Sequence, residues 1–356
     1  MMESRRRELQ PLSVGATTHP GLWLDKFIAK IEKGESEAKK ALVEDVVGLA
    51  RKIGSNKDYK SYFDRYYKAL INWPAPVLKA KGKTTGRLVV GLGANAVLEN
   101  SITFHRTYGV PYIPGSALKG VASSYAARYL EDGRWSRSFK GGKTTRGEWQ
   151  KLIFGDTDEG GLIIFFDALP EPGKWQLNPD VITVHHQEYY QGQGKPPADW
   201  DSPIPVPFVT SQGTFNFALG LVPLADSDLE KGKELLKIAF ELLSLALKEG
   251  GVGAKTSVGY GRIELDPPKL VEPPPPERSP KYKKAEQLAR AMKWNDAPQK
   301  MKEIALLWQK LPAEEKAVLL SFLKANRSKE MGHPDLDKKK VKKNPALKEL
   351  MDSLRQ

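Results

Sequence analysis

The chain has 356 residues, 40% of them hydrophobic, with a formal net charge of +13 and no cysteine. The missing cysteine excludes disulfides and thiolate metal sites, and five histidines, only His185 and His186 adjacent, argue against a structural zinc. No apolar run approaches the roughly 18 residues of a membrane span, so a cytoplasmic chain is expected, and the excess of basic charge suits a polyanion, nucleic acid being the commonest.

Residues 1 to about 85 read as a helical region, with ESEAKKALVEDVVGLARKIG and KDYKSYFDRYYKALINW as its helices and Asn72, Trp73 and Pro74 as its close. From Gly86 the texture changes to glycine-punctuated strands: RLVVGLG, GLIIFFDALP, DVITVHH, PFVTS and TFNFALGLVP, rich in Val, Ile and Phe. Two helices interrupt them. SALKGVASSYAARYL places Leu118, Val121, Ala122, Tyr125 and Tyr129 on one face, and SDLEKGKELLKIAFELLSLALKEGG is apolar around most of its circumference and stopped by Gly250 and Gly251. The order strand, helix, strands, helix, strand predicts an α+β, ferredoxin-like (RRM-like) core, an antiparallel sheet with both helices on one face. PPKLVEPPPPERSP then reads as a stiff linker, at about 271–280, before a helical module over 281–356. That module holds 19 Lys and Arg against 10 Asp and Glu, so most of the net charge lies there.

Several motifs imitate nucleotide or metal sites. Gly91, Gly93 and Ala96 follow a dinucleotide spacing, yet ENSITFHRTYGVPYIPG after them starts no βαβ unit. The GKT triplets at 82–84 and 142–144 lack the glycine a phosphate loop needs five positions earlier, where Val77 and Arg137 stand. FGDTDEGG gathers Asp156, Asp158 and Glu159, but as Asp and Gly gather in turns. No cofactor and no metal is expected.

Two features combine as a nucleic-acid surface. Ser116 as N-cap leaves the first backbone N–H groups of its helix free for phosphate, Gly115 admits a close backbone, and Lys119 in the first turn becomes favourable beneath an anion. The loop VGAKTSVGYGRI adds Lys255, Thr256, Gly259, Tyr260 and Arg262 with little bulk between them, Tyr260 being suited to stacking on a base. His185, His186, Tyr189 and Tyr190 precede the polar, proline-rich QGQGKPPADWDSPIPVPF; they suit metal-free acid–base cleavage of RNA, base stacking, or packing at a hairpin root.

The run YGVPYIPGSALKG, followed beyond a long helix by GVGAKTSVGYGRI, resembles the RAMP superfamily of CRISPR proteins, whose ferredoxin-like folds hold guide RNA. With HHQEYYQGQGKPPADWDSPIPVPFVTSQGTFNFAL and VLENSITFHRTYGVPYIPGSALKG, the span from Gly86 to Asp266 is similar, more narrowly, to the sixth-subunit family of type III-B (Cmr) effector complexes. The resemblance implies a RAMP domain over 86–270 and contact with CRISPR RNA at Gly115, Ser116, Lys119, Lys255, Thr256, Gly259, Tyr260 and Arg262. Further RNA contacts are expected at His105, Arg106, His185, His186, Tyr189 and Tyr190, and the resemblance implies a hairpin protruding at about 185–208 between guide and target RNA and neighbouring Cmr subunits as partners without any membrane. Target-cutting relatives carry an aspartate in the loop before the first helix; here that loop has Glu99 and no aspartate, which implies a non-cleaving member. Two other classes stay open: a RAMP endoribonuclease processing guide precursor through His105 or His185, and a small-molecule enzyme built on GLGANA. The module from Lys281 matches nothing in the family resemblance.

Overall fold

The computed structural model describes residues 14–15, 18–26, 36–53, 56–94, 96, 98–140, 143–192, 196–200, 203–274, 278–327, 331–336 and 344–355. The chain divides into two compact units, Met1–Pro274 and Pro275–Gln356.

The first unit begins with α1 (Pro20–Lys26), α2 (Ser36–Ile53) and α3 (Lys57–Ile71). Along α2, Leu42, Val43, Val46, Leu49, Ala50 and Ile53 recur at helical spacing and are all buried. Asn56 starts α3, its Oδ1 accepting the Asp58 N–H at 2.7 Å. The first strand, β1 (Val77–Thr84), follows at once. Its sequence VLKAKGKT lies inside the stretch expected to be helical and before the expected first strand, RLVVGLG. The reason is alternation: Leu78 and Gly82 are buried while Lys81 and Lys83 between and beyond them are exposed, a period of two written in lysine and glycine rather than in Val and Ile. RLVVGLG is no strand of the sheet: among the described residues it meets the ladder at the bridge between Leu88 and Ser211, then bends at Val90 and Gly91 and turns at Leu92 and Gly93.

The chain continues through α4 (Gly115–Tyr129), the hairpin β2 (Arg137–Lys140) and β3 (Lys143–Arg146), α5 (Glu148–Phe154), β4 (Ile163–Phe165), β5 (Leu169–Val184), the single turn α6 (Gln187–Tyr190) and β6 (Ile204–Leu221). It closes with α7 (Leu229–Leu245), a π-helical turn over Ala246–Gly250, β7 (Ile263–Leu265) and β8 (Lys269–Val271). The antiparallel sheet runs β4-β6-β1-β7, with β5 extending the pairing on β6 and β8 pairing β1. In ferredoxin terms this is strand order 2-3-1-4, the order expected of a βαββαβ core.

Parity along β6 explains the layers. Phe215, Phe217, Leu219 and Leu221 point to one face, where Leu118, Ala122 and Ala126 of α4 and Leu236, Ala239, Phe240 and Leu243 of α7 complete the main core. Ala218 points to the other face and packs with Leu70 of α3 and Val77. Tyr67 Oη donates to the Asn216 carbonyl at 2.7 Å, fastening α3 to the same strand.

The arm of the β5–β6 ladder runs into the segment 185–208, where a protruding hairpin is expected from sequence. PFVTS and TFNFALGLVP form one strand, β6, which pairs with β5 from Leu169↔Asn216 out to Val184↔Ile204, so residues from Ile204 onward belong to the ladder. Trp175 and Leu177 of β5 and Val209 of β6 pack beneath α2. Within the connection, 193–195 and 201–202 fall outside the described residues.

The second unit holds α8 (Pro280–Arg290), α9 (Ala297–Trp308), α10 (Ala313–Asn326) and α11 (Pro345–Arg355) around its own core, including Tyr282, Met301, Ile304, Trp308, Leu319, Leu323 and Leu350. Both ends of α8 are satisfied by distant side chains. Glu315 accepts from the N–H and hydroxyl of Ser279 at 2.6 Å each, and Arg327 donates to the Ala289 and Arg290 carbonyls at 2.7 and 2.6 Å.

Candidate nucleic-acid interface

The N-terminus of α4 departs from the expectation built on its sequence. The cap residue is Pro114, not Ser116, and it offers no side-chain bond; Ser116 is the second helical residue and is exposed. The Gly115 N–H donates at 2.7 Å to Oδ1 of Asp167, a residue 52 positions away in the turn between β4 and β5. One of the donors expected to be free for a phosphate is therefore already held by an internal carboxylate. Gly115 is needed for packing: a Cβ there would lie 2.0 Å from the Phe165 carbonyl oxygen. It is buried.

Lys119 remains. It is half-buried, and burial first, then the Arg146 guanidinium, lower its proton affinity. Burial and the Arg137 guanidinium lower that of Arg146, with Asp156 acting in the opposite direction. The Asp156 carboxylate is committed elsewhere: Oδ1 accepts the Asp158 and Glu159 N–H groups at 2.9 Å each and Oδ2 faces Lys151 at 3.4 Å, which makes FGDTDEGG a turn.

The glycine-rich loop is a rigid shelf. It is bonded to the segment after β1 by Ala254 N–H to the Val89 carbonyl at 2.9 Å and Gly261 N–H to the Arg87 carbonyl at 2.8 Å. Gly261 has φ 72° and a Cβ on it would lie 2.0 Å from the Val252 carbonyl oxygen, so only glycine fits. Lys255 itself adopts φ 60°, ψ 29°, among the described residues the one non-glycine with positive φ. Its Nζ lies 6.0 Å from the Phe208 ring and 5.9 Å from the Tyr260 ring, at the limit of cation–π attraction. Thr256 opens the short 3-10 turn, and the exposed Gly259 ends it with φ 91°. The Tyr260 hydroxyl donates to Asp180 on β5, and Arg87 pairs with the same carboxylate. Burial works to raise the Asp180 pKa, but Arg87 and Tyr260 outweigh it and hold the carboxyl below the usual range. Arg262 is half-buried, its Nη1 donating to the Lys248 carbonyl at 3.1 Å.

The remaining expected contacts lie apart from this shelf. Tyr189 and Tyr190 meet edge-on at 5.6 Å near the end of the arm, 53% and 75% exposed, beside His185 and His186 and with Trp200, 87% exposed, in the same connection. His105 sits among Tyr62, Tyr108 and Tyr112, its Nδ1 accepting the Thr107 and Tyr108 N–H groups at 3.3 and 3.4 Å. Burial depresses its pKa, so the imidazole serves as a neutral organiser of its turn; Arg106 beside it is exposed.

Four places result. The shelf borders β5 and β6, Lys119 borders the β2–β3 hairpin, the tyrosines sit at the arm's tip, and His105 lies under α3. Asp167, Arg87, Asp180 and Arg146 carry much of this geometry and none has a local signal, since each acts on a partner distant in sequence.

Residues 81–264 match the family described as RAMP superfamily. The CRISPR system Cmr subunit Cmr6 of Pyrococcus furiosus is 32% identical over 315 residues, covering 74% of this chain and 89% of that protein. Cmr6 of Saccharolobus solfataricus is 28% identical over 239 residues, covering 66% and 73%. A chain in the cryo-EM structure of the Type III-B Cmr-beta bound to cognate target RNA superposes with a TM-score of 0.49 at 23% identity, over 68% of this chain and 79% of that one. With the superfamily match running from β1 into β7 and including both helices on the sheet, and the Pyrococcus identity running along most of both sequences, the chain belongs to the RAMP superfamily and, within it, to the Cmr6 family.

Proposed function

We propose that this protein is a non-catalytic, cytoplasmic subunit of a type III-B (Cmr) RNA-guided interference complex that binds the 3′ part of the CRISPR RNA and contacts target RNA and neighbouring RAMP subunits. The observation that carries the reading is the glycine-rich shelf in a chain of the Cmr6 family: a lysine held in a left-handed conformation between two aromatic rings, on a loop fixed by backbone bonds. Such a loop meets a sugar–phosphate backbone without reordering, which removes much of the entropic cost of binding. The exposed tyrosines at the arm's tip suit insertion beside unpaired bases. In support of a non-cleaving role, Glu99 is the one acid in the loop of residues 85–114, and its carboxylate is engaged by Lys39.

Purification of the protein from its native host, followed by sequencing of the RNA that accompanies it, tests this reading. Repeat-derived guides recovered with other Cmr subunits are the expected result, and Lys255→Ala should reduce guide retention. Recovery of the protein without guide RNA would overturn it.

A further inference from the structure

The β2–β3 hairpin meets Lys119 at its Arg146 end, and the rest of it belongs to none of the sites above. Its base is fixed: Trp135 stacks on Trp149 at 5.7 Å, the Arg134 guanidinium lies 5.4 Å from the Trp149 ring, and the Gly147 N–H donates to the Ser136 carbonyl at 2.9 Å. Beyond that base the register pairs Arg137 with Arg146 and Phe139 with Thr144, so these four share one face, while Ser138 and Thr145 pair on the other through hydroxyls 2.6 Å apart. The face carrying Arg137 and Phe139 turns toward the outer side of α4. Between them lies an open cleft of about 500 Å³ lined by Ser124 and Arg128 of α4 and by Arg137, Phe139 and Thr144 of the hairpin.

Two properties of this cleft are costly in the isolated protein. Arginines directly opposite one another in an antiparallel ladder repel, and Lys119 adds a third cation to the Arg146 end. The neighbouring acids offset only part of this: Asp132 is paired with Arg134 at 2.6 Å, and Asp156, which attracts Arg146, is also held in its turn with Lys151. Among the described residues, Arg128 and Arg137 have no carboxylate partner. Phe139 is 73% exposed, an unusual position for a ring on a short two-stranded hairpin with no partner element. Uncompensated cations beside an exposed aromatic ring, with hydroxyls between them, are the two halves of a single-strand nucleic-acid site: charge for the phosphates and a π-face for a base. An acidic protein surface would satisfy the arginines but gives Phe139 no specific role.

We propose that the cleft between α4 and the β2–β3 hairpin is a second site for single-stranded RNA, in which Arg128 and Arg137 hold phosphates and Phe139 stacks on a base. The site rests on the reading of this chain as an RNA binder, and it is separate from the glycine-rich shelf, since one lies against the hairpin and the other against β5 and β6.

The test is binding of fluorescently labelled single-stranded RNA to the full chain across a salt series. Phe139→Ala should weaken binding about 5- to 100-fold with an unchanged salt slope, and Phe139→Trp should restore it. The double change of Arg128 and Arg137 to Ala should lower the salt slope by about 1 to 2. Arg137 and Phe139 are exposed, so the thermal transitions of these variants should match the parent and exclude misfolding. If the parent chain binds RNA and Lys255→Ala weakens it, but the Phe139 and arginine variants match the parent in affinity and slope, the second site is overturned and the proposed function stands. If the parent binds no RNA, both fall. Loss of an acidic protein partner by the arginine variants, with RNA binding unchanged, likewise overturns the site.

Discussion

The N-terminus of α4 and the glycine-rich shelf looked equivalent as anion sites, and they differ in who supplies the anion. At α4 the molecule supplies it: Asp167 reaches from the β4–β5 turn to the Gly115 N–H. At the shelf the internal carboxylate, Asp180, neutralises Arg87 and holds Tyr260, but Lys255 has, among the described residues, only the faces of two rings. A helix N-terminus attracts phosphate only while its N–H groups are unclaimed, and a claim made from 52 residues away cannot be seen in the helix's own sequence.

Three substitutions test that contrast, from the largest effect to the smallest. Gly115→Ala places a methyl against the Phe165 carbonyl and should destabilise the first unit by about 3 kcal/mol in denaturant unfolding. A loss confined to RNA affinity, with stability intact, would return Gly115 to the interface. Asp167→Ala should cost about 1 kcal/mol, as removal of a helix cap does, and part of the loss should return when inorganic sulfate is added, because the freed N–H can then donate to an anion. Equal stability with and without sulfate would mean the carboxylate does not occupy an anion site. Lys255→Asn keeps a residue that tolerates the left-handed region while removing the charge. It should raise stability by about 0.5 kcal/mol and reduce the salt slope of RNA binding by about 1. A stability loss with unchanged RNA binding would make Lys255 a folding residue.

The helices and the order of the core were legible because their signals are local and periodic: α2, α3, α4 and α7 each carry an apolar stripe that survives any tertiary context. The first strand was hidden because its alternation is carried by Leu78, Ala80 and Gly82 against Lys79, Lys81 and Lys83, residues with little intrinsic preference for strands. RLVVGLG misled for the opposite reason. Leu88 and Val89 are buried, Val89 completely, while Val90 and Leu92 are partly so, but its carbonyls serve loops on both sides, Val90 accepting from Thr103 and Val89 from Ala254. The identity of Lys255 and Tyr260 as a unit was readable, since both sit in one glycine-rich run. The roles of Arg262, Arg87 and Asp180 were not, because each depends on the pairing of elements far apart in the chain.

The arm formed by β5 and β6 carries Pro179, Pro205 and Pro207 where it runs past β1. Proline has no N–H to offer, so each one breaks the row of donors that an exposed strand edge would otherwise present to a passing chain. The consequence is protection against runaway sheet extension. Copies of this protein crowded together cannot zip edge to edge along the arm, and a neighbour that seats there must recognise side chains, which makes the contact selective by construction.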